Sequence, residues 1–290
     1  MKSHNQACIP RSLALVLALV LVAGAALFAP AYSAEPPQAS SVEDLWIDMR
    51  IGPPLIPLFN EAAQSDDIAR VEHPSQIAQL AGIESGRKMV IFKSVAEAQE
   101  LLPGIAGDID IIGYNLEHGQ TTPDGEKADP VSSIQQMRVL ADEYGLDLAF
   151  GPDHDFALSH GVEMAPFVDI FVLQIQRQQT NPETVKAFVG PLVPQLRQAN
   201  PDLQVSVQVR TEGDVEAIVE LLDDLKEHLD GVSILTSPDT VDTAWELTAA
   251  LRPYVQAPSQ GLGQTWIYIL LAAVIAGGAY LLYRRKTANN

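Results

Sequence analysis

The chain has 290 residues, with 18 Lys and Arg against 37 Asp and Glu and a single cysteine, Cys8. A net charge of −19 makes the globular part a poor partner for nucleic acid or anionic lipid. With no cysteine after residue 8, disulfides and thiolate metal sites are excluded from the rest of the chain, whose stability must come from a core.

Residues 1–34 have the anatomy of a secretory signal. Lys2 and Arg11 form a positive start, Leu13 to Phe28 is an unbroken apolar run, and the small residues Ala29, Ala31, Ser33 and Ala34 follow. Export is therefore expected. Residues 35–254 carry the globular domain. All 37 acidic residues lie between 35 and 263, with 13 of the 18 basic ones, so this stretch carries 13 − 37 = −24.

Within the domain, short β-rich runs alternate with helical patterns. The clear strands are 88–93, 109–117, 146–151, 168–176, 204–210 and 231–236, with two weaker ones near 45–50 and 68–73. Helical periodicity marks 129–144, 182–199 and 214–229. Such alternation predicts βαβ units and a parallel sheet. Eight units close a (β/α)8 TIM-like barrel, and six or seven leave an open doubly wound sheet. No Gly-x-Gly-x-x-Gly or phosphate loop follows a strand, and no cofactor is expected.

Residues 255–264 read as a short linker. Residues 265–283 follow as a membrane-spanning helix: Trp266 to Tyr283 is uncharged, and at about 1.5 Å per residue it spans close to the hydrocarbon thickness. Arg284, Arg285 and Lys286 come next, so residues 284–290 are expected in the cytoplasm and the domain outside, tethered to the bilayer by this one helix.

Strand residues alternate faces. Val205, Val207 and Val209 share one face, and Ser206, Gln208 and Arg210 the other. Likewise Phe171, Leu173 and Ile175 oppose Gln174 and Gln176. Barrel sites form at the C-terminal ends of strands. Those ends carry Asn115, Glu117, His118, Asp153, Asp155, Gln174, Gln176, Arg210 and Glu212. That many polar groups inside a barrel call for a wet, ligand-binding mouth, or else for a network that satisfies itself.

The run Gly107–Gly119, which reads Gly-Asp-Ile-Asp-Ile-Ile-Gly-Tyr-Asn-Leu-Glu-His-Gly, resembles the fourth strand of family 18 glycoside hydrolases, the chitinase-like barrels. Residues 147–153 and 168–176 are similar to the fifth and sixth strands. The resemblance implies a barrel in which Glu117 is the general acid and Asp153 or Asp155 supplies a second carboxylate. Asn115 stands where the family has an assisting Asp, Gly113 where it has a more distant one, and Gln176 where it has a Tyr. Asn115 orients a substrate amide but brings no negative charge.

The function implied is a membrane-anchored hydrolase acting on a glycan with N-acetyl amino sugars. Glu117, Asn115 and Asp153 would be catalytic, and Gln174, Gln176, Arg210, Tyr114 and Asp155 would bind substrate. One alternative is a non-catalytic module that recognises a glycan or another small polar ligand. Another is a metal-dependent hydrolase drawing ligands from His73, Glu117, His118, Asp153, His154 and Asp155, although no His-x-His or His-Glu-x-x-His pair occurs.

Overall fold

A computed structural model describes residues 41–255. The expected signal segment, linker, spanning helix and basic tail lie outside the described residues. Among the described residues no helix is long and apolar enough to cross a membrane.

Eight strands are present: β1 (Trp46–Arg50), β2 (Ile68–Val71), β3 (Arg87–Phe92), β4 (Ile111–Tyr114), β5 (Asp147–Phe150), β6 (Ile170–Gln174), β7 (Gln204–Arg210) and β8 (Gly231–Leu235). Each pairs in parallel with the next, and β8 returns to β1, so the barrel is closed. All eight expected strands exist, with ends trimmed by up to three residues, and the open-sheet alternative is excluded.

Helices cover the outside: α1 (Ile56–Ala62), α2 (Val95–Ile105), α3 (Asp124–Ala128), α4 (Pro130–Tyr144), α5 (His154–Met164), α6 (Pro182–Ala199), α7 (Val215–Leu225) and α8 (Val241–Leu251). The second unit departs from the pattern, because Pro74–Gly82 forms 3-10 turns in place of an α-helix. Several starts are capped as their sequences dictate. Asp129 accepts from Ser132 N, Asn181 from Thr184 N, and Asp214 from Glu216 N and Ala217 N.

Two apolar layers follow from the alternation. Outward-facing residues such as Val205, Val207, Val209, Phe171 and Leu173 join the helices in the main core. Trp46, Ile68, Met89, Ile91, Ile111, Ala149, Ile170 and Val172 point inward and plug the lower lumen. Gly231 makes room for the floor of this plug, since a Cβ there would lie 2.1 Å from the Trp46 ring.

The N-terminal rim repeats one device four times. Asp67, Asp110, Asp169 and Asp230 each stand at the entry to an even-numbered strand. Each accepts a backbone N–H from the preceding odd strand: Ile47 at 2.6 Å, Lys88 at 2.8 Å, Leu148 at 2.7 Å and Val205 at 2.7 Å. Three of the four also hold an arginine. Asp67 pairs with Arg252 at 2.9 Å, Asp169 with Arg138 at 2.6 Å and Asp230 with Arg197 at 2.8 Å. Burial pushes the Asp67 carboxyl up, against the pull of Arg252. Arg252 also donates to the carbonyls of Glu43 and Leu45, which ties the end of α8 to the segment entering β1.

Candidate functional site at the barrel mouth

Above the apolar plug the lumen turns polar. Asp48, Arg70, Gln208 and Ser233 come from four adjacent strands and are all buried. Arg70 Nε donates to Asp48 Oδ1 at 2.9 Å, and Ser233 Oγ donates to Asp48 Oδ2 at 2.7 Å. Arg70 and Gln208 each donate to Ser233 Oγ at 3.3 Å. Arg70 reaches upward to Glu72 as well. Burial pushes the Asp48 carboxyl up, offset in part by Arg70. For Arg70 burial works the other way, but Asp48 and Glu72 outweigh it and hold the guanidinium charged. The remaining space, lined by Asp48, Arg70, Asn115 and Gln208 among others, is about 10 Å3, close to the room one water needs. This storey has no room for a ligand larger than a water.

The next storey is the mouth. Lys93 follows β3, and Asn115 and Glu117 follow β4, all on lumen-facing parity. Lys93 Nζ lies 3.5 Å from Glu117 Oε1, and Asn115 Nδ2 donates to the same oxygen at 3.3 Å. Gly151 permits this placement, because a Cβ there would lie 2.8 Å from Asn115 Oδ1. Gln174 Nε2 donates to Gly151 O at 2.9 Å, and Gln176 Nε2 donates to Gln174 Oε1 at 3.0 Å. Gln176 Oε1 is left buried with no hydrogen-bond partner.

Cations are distributed unevenly. Thirteen Lys and Arg fall among the described residues, and nine of them form ion pairs. The other four are Arg50, Lys88, Arg177 and Arg210. Arg50 ends β1, Arg210 ends β7 and Arg177 lies just after β6, so three of the four stand at the C-terminal end of the barrel. Arg50 Nη1 donates only to Thr236 O, at 3.3 Å.

Several expected site residues have other duties. Tyr114 lies on the opposite parity from Asn115 and points into the helix-facing core, where it stacks on Phe150 and donates to Glu126 at 2.6 Å. Burial first, and then Glu126, push its phenol pKa far up, so it stays protonated. It does not line the mouth. Asp153 is buried, and its Oδ2 accepts His118 N at 2.7 Å, which fastens the loop after β4 to the loop after β5. Asp155 is exposed and pairs with His118 Nε2 at 2.7 Å, while the His118 ring stacks on Phe156. His154 turns toward Phe188 on α6, with ring centroids 4.1 Å apart. Among the described residues no three His, Cys, Asp or Glu side chains are grouped to share a metal ion, so the ligand set proposed for a metal hydrolase is not assembled.

Asp48, Arg70, Lys93 and Arg50 were missed by motif reading. The same alternation, applied to β1 and β2, puts Trp46, Asp48 and Arg50 on one face and Ile68 and Arg70 on another, both turned inward.

The fold and the position of the polar storey define a closed parallel (β/α)8 barrel of the TIM class. No protein-family model matches the chain, and no curated protein matches its sequence. Solved structures do resemble it in shape. The 3-keto-L-gulonate-6-phosphate decarboxylase of Vibrio cholerae shares 10% identity at a TM-score of 0.44, over 72% of this chain and 99% of that one. An HpcH/HpaI aldolase from Desulfitobacterium hafniense shares 10% at 0.44, over 76% and 96%. A mandelate racemase/muconate lactonizing protein from Herpetosiphon aurantiacus shares 12% at 0.44, over 67% and 57%. Such likeness concerns the shape of the barrel and not its chemistry.

These findings correct the resemblance to family 18 glycoside hydrolases. No model of that family matches, and the structures of like shape carry other names. The side chains agree with the correction. Gly113 is covered by Ile91, whose Cδ1 would lie 2.1 Å from any Cβ there, and Glu117 is engaged by Lys93. The readings as a glycan hydrolase, a glycan-binding module or a metal-dependent hydrolase are withdrawn with it.

Proposed function

We propose that the barrel is an enzyme that binds a small organic acid at its C-terminal mouth and moves a proton on it. The observation that carries this reading is the set of unpaired arginines, Arg50, Arg177 and Arg210, gathered at one end of a domain with a net charge of −24. In so acidic a protein, cations left without carboxylates offer a site to an outside anion. Gln176 Oε1, buried and without a partner, accepts from a hydroxyl of the same ligand, so a 2-hydroxy carboxylate suits the mouth.

The Lys93–Glu117 pair supplies the chemistry. The Glu117 carboxylate takes the proton from the carbon beside the carbonyl or carboxylate. The electron pair of the broken C–H bond moves onto the carbonyl oxygen, and the Lys93 ammonium stabilises the charge that develops there. Asn115, held by the gap at Gly151, keeps Glu117 in place.

Calorimetric titration of the full-length protein with lactate, glyoxylate, malate and 2-oxoglutarate tests the binding half. At least one should bind, and Arg210→Ala should weaken it about tenfold or more with the fold intact. Unchanged affinity in both Arg210→Ala and Arg177→Ala would remove the anion site.

The sequence alone supports a location outside the cytoplasm. We propose that residues 1–34 direct export and that residues 265–283 tether the domain. A phosphatase fused in place of residues 256–290 should be active in the exported compartment, and an inactive fusion would reject export.

A further inference from the structure

A second cavity lies beside the mouth. It has a volume of about 230 Å3 and opens between the segments that follow β1, β2 and β8. Its wall is mostly apolar, with Ile51, Pro53, Pro54, Leu55, Pro238 and Val241 contributing. Two polar features interrupt that wall. Arg50, one of the lining residues, has no carboxylate partner, and Gln79, another, has an Oε1 that is buried and has no hydrogen-bond partner.

The irregular second unit forms one wall of this cavity. Where the other units lay a helix against the barrel, Pro74–Gly82 winds in 3-10 turns, and both Gln76 and Gln79 from those turns face the space. Pro53 and Pro54 fix the opposite wall, since their φ angles are locked and the segment has little freedom to collapse inward.

Arg50 belongs to both spaces. It ends β1 at the rim of the lumen, and it lines the cavity. We infer that the organic acid bound at the mouth carries an apolar tail of a few carbons, that Arg50 grips its carboxylate, and that the tail enters this cavity. This inference rests on the mouth being an organic-acid site and names the class of acid. The volume is a little below the ~300 Å3 at which small-molecule pockets ordinarily begin, which suits a tail and not a whole ligand. An apolar tail alone leaves Gln79 Oε1 unsatisfied, so the acid also bears a hydroxyl or amide N–H along the tail.

The test uses full-length protein and calorimetric titration with acetate, butanoate and hexanoate, and then with 5-hydroxyhexanoate. Affinity should rise about fourfold for each methylene that enters the cavity. The hydroxylated acid should bind more tightly than hexanoate, and Gln79→Met should erase that difference while sparing hexanoate. Val241→Phe, which fills the cavity, should remove the chain-length dependence and leave acetate binding unchanged. Should Val241→Phe fail to fold, as judged by circular dichroism, Leu55→Phe serves the same purpose from the other wall.

Equal affinity along the series, with Arg210→Ala still weakening every acid, would overturn the tail pocket and leave the mouth reading standing. A chain-length dependence that survives both filling variants would likewise overturn it. If no organic acid binds at all, both readings fall.

Discussion

At the scale of single residues, the molecule keeps charge in its interior only where each charge is answered. Asp48 and Arg70 sit in the lumen of a protein whose other core positions are almost all apolar. Each is buried at a cost of several kcal/mol, offset in part by their mutual attraction, by the hydrogen bond that Ser233 donates to Asp48 and by the one it accepts from Arg70. Asp48→Ala removes the acceptor that Arg70 and Ser233 share and leaves a cavity in the lumen, and should cost about 3–5 kcal/mol in urea denaturation. Replacing Asp48 and Arg70 together by Leu should cost less, since neither charge is then left alone. A loss below about 1 kcal/mol for Asp48→Ala would mean that these hydrogen bonds do not brace the lumen. Tyr114 shows where residue-level reading went astray. It stands one position from Asn115, and strand parity alone sends its ring to the other side of the sheet.

At the scale of elements, the four aspartates at the entries to β2, β4, β6 and β8 explain how a ring of short parallel strands keeps its register. Each takes an N–H from the start of the neighbouring strand, and three of them also fasten an arginine from the helical layer or its end. Hydrogen bonds to a charged group contribute about 1.5–3 kcal/mol apiece. Asp169→Ala removes two such bonds, to Leu148 N and to Arg138, and should lower stability by about 3 kcal/mol without touching the mouth. Thermal unfolding reads the loss, and an unchanged midpoint would reject the clamp.

Strand positions were legible because runs of Val, Ile and Leu with alternating polar residues have few other readings. The clamps were not, because an Asp at the head of a strand looks the same whether it binds substrate or a backbone N–H. Asp153, at the far end after β5, misled for a like reason, since its carboxylate is spent on His118 N. The 3-10 winding of Pro74–Gly82, which forms one wall of the side cavity, also left no clear mark in the sequence beyond its leading proline.

At the scale of the whole molecule, charge governs the response to pH. Burial raises the folded-state pKa of Asp48 and of Asp67 above the ordinary carboxylate value. The folded chain thus binds these protons at higher pH than the unfolded chain does. The stability linked to them is complete below about pH 4, where the unfolded groups also protonate, and is lost as pH rises through the folded values. Self-repulsion at −24 acts in the same sense, because partial protonation relieves it. The melting temperature should therefore be higher near pH 5.5 than near pH 7.5. A midpoint that rises steadily from pH 5.5 to pH 7.5 would show that the exposed ion pairs outweigh the buried carboxylates.

The barrel also separates its two ends by purpose. The N-terminal rim is closed by paired charges, whereas the C-terminal rim keeps arginines unpaired and a Lys–Glu pair in the open. The decisive measurement is loss of the C–H signal from lactate, malate and 2-oxoglutarate in deuterated water, followed by proton NMR with the full-length protein. The wild type should wash the proton beside the carboxylate or carbonyl out of at least one of these acids, and Glu117→Gln should stop the exchange while leaving the acid bound. Exchange that continues at the same rate in Glu117→Gln would contradict the account.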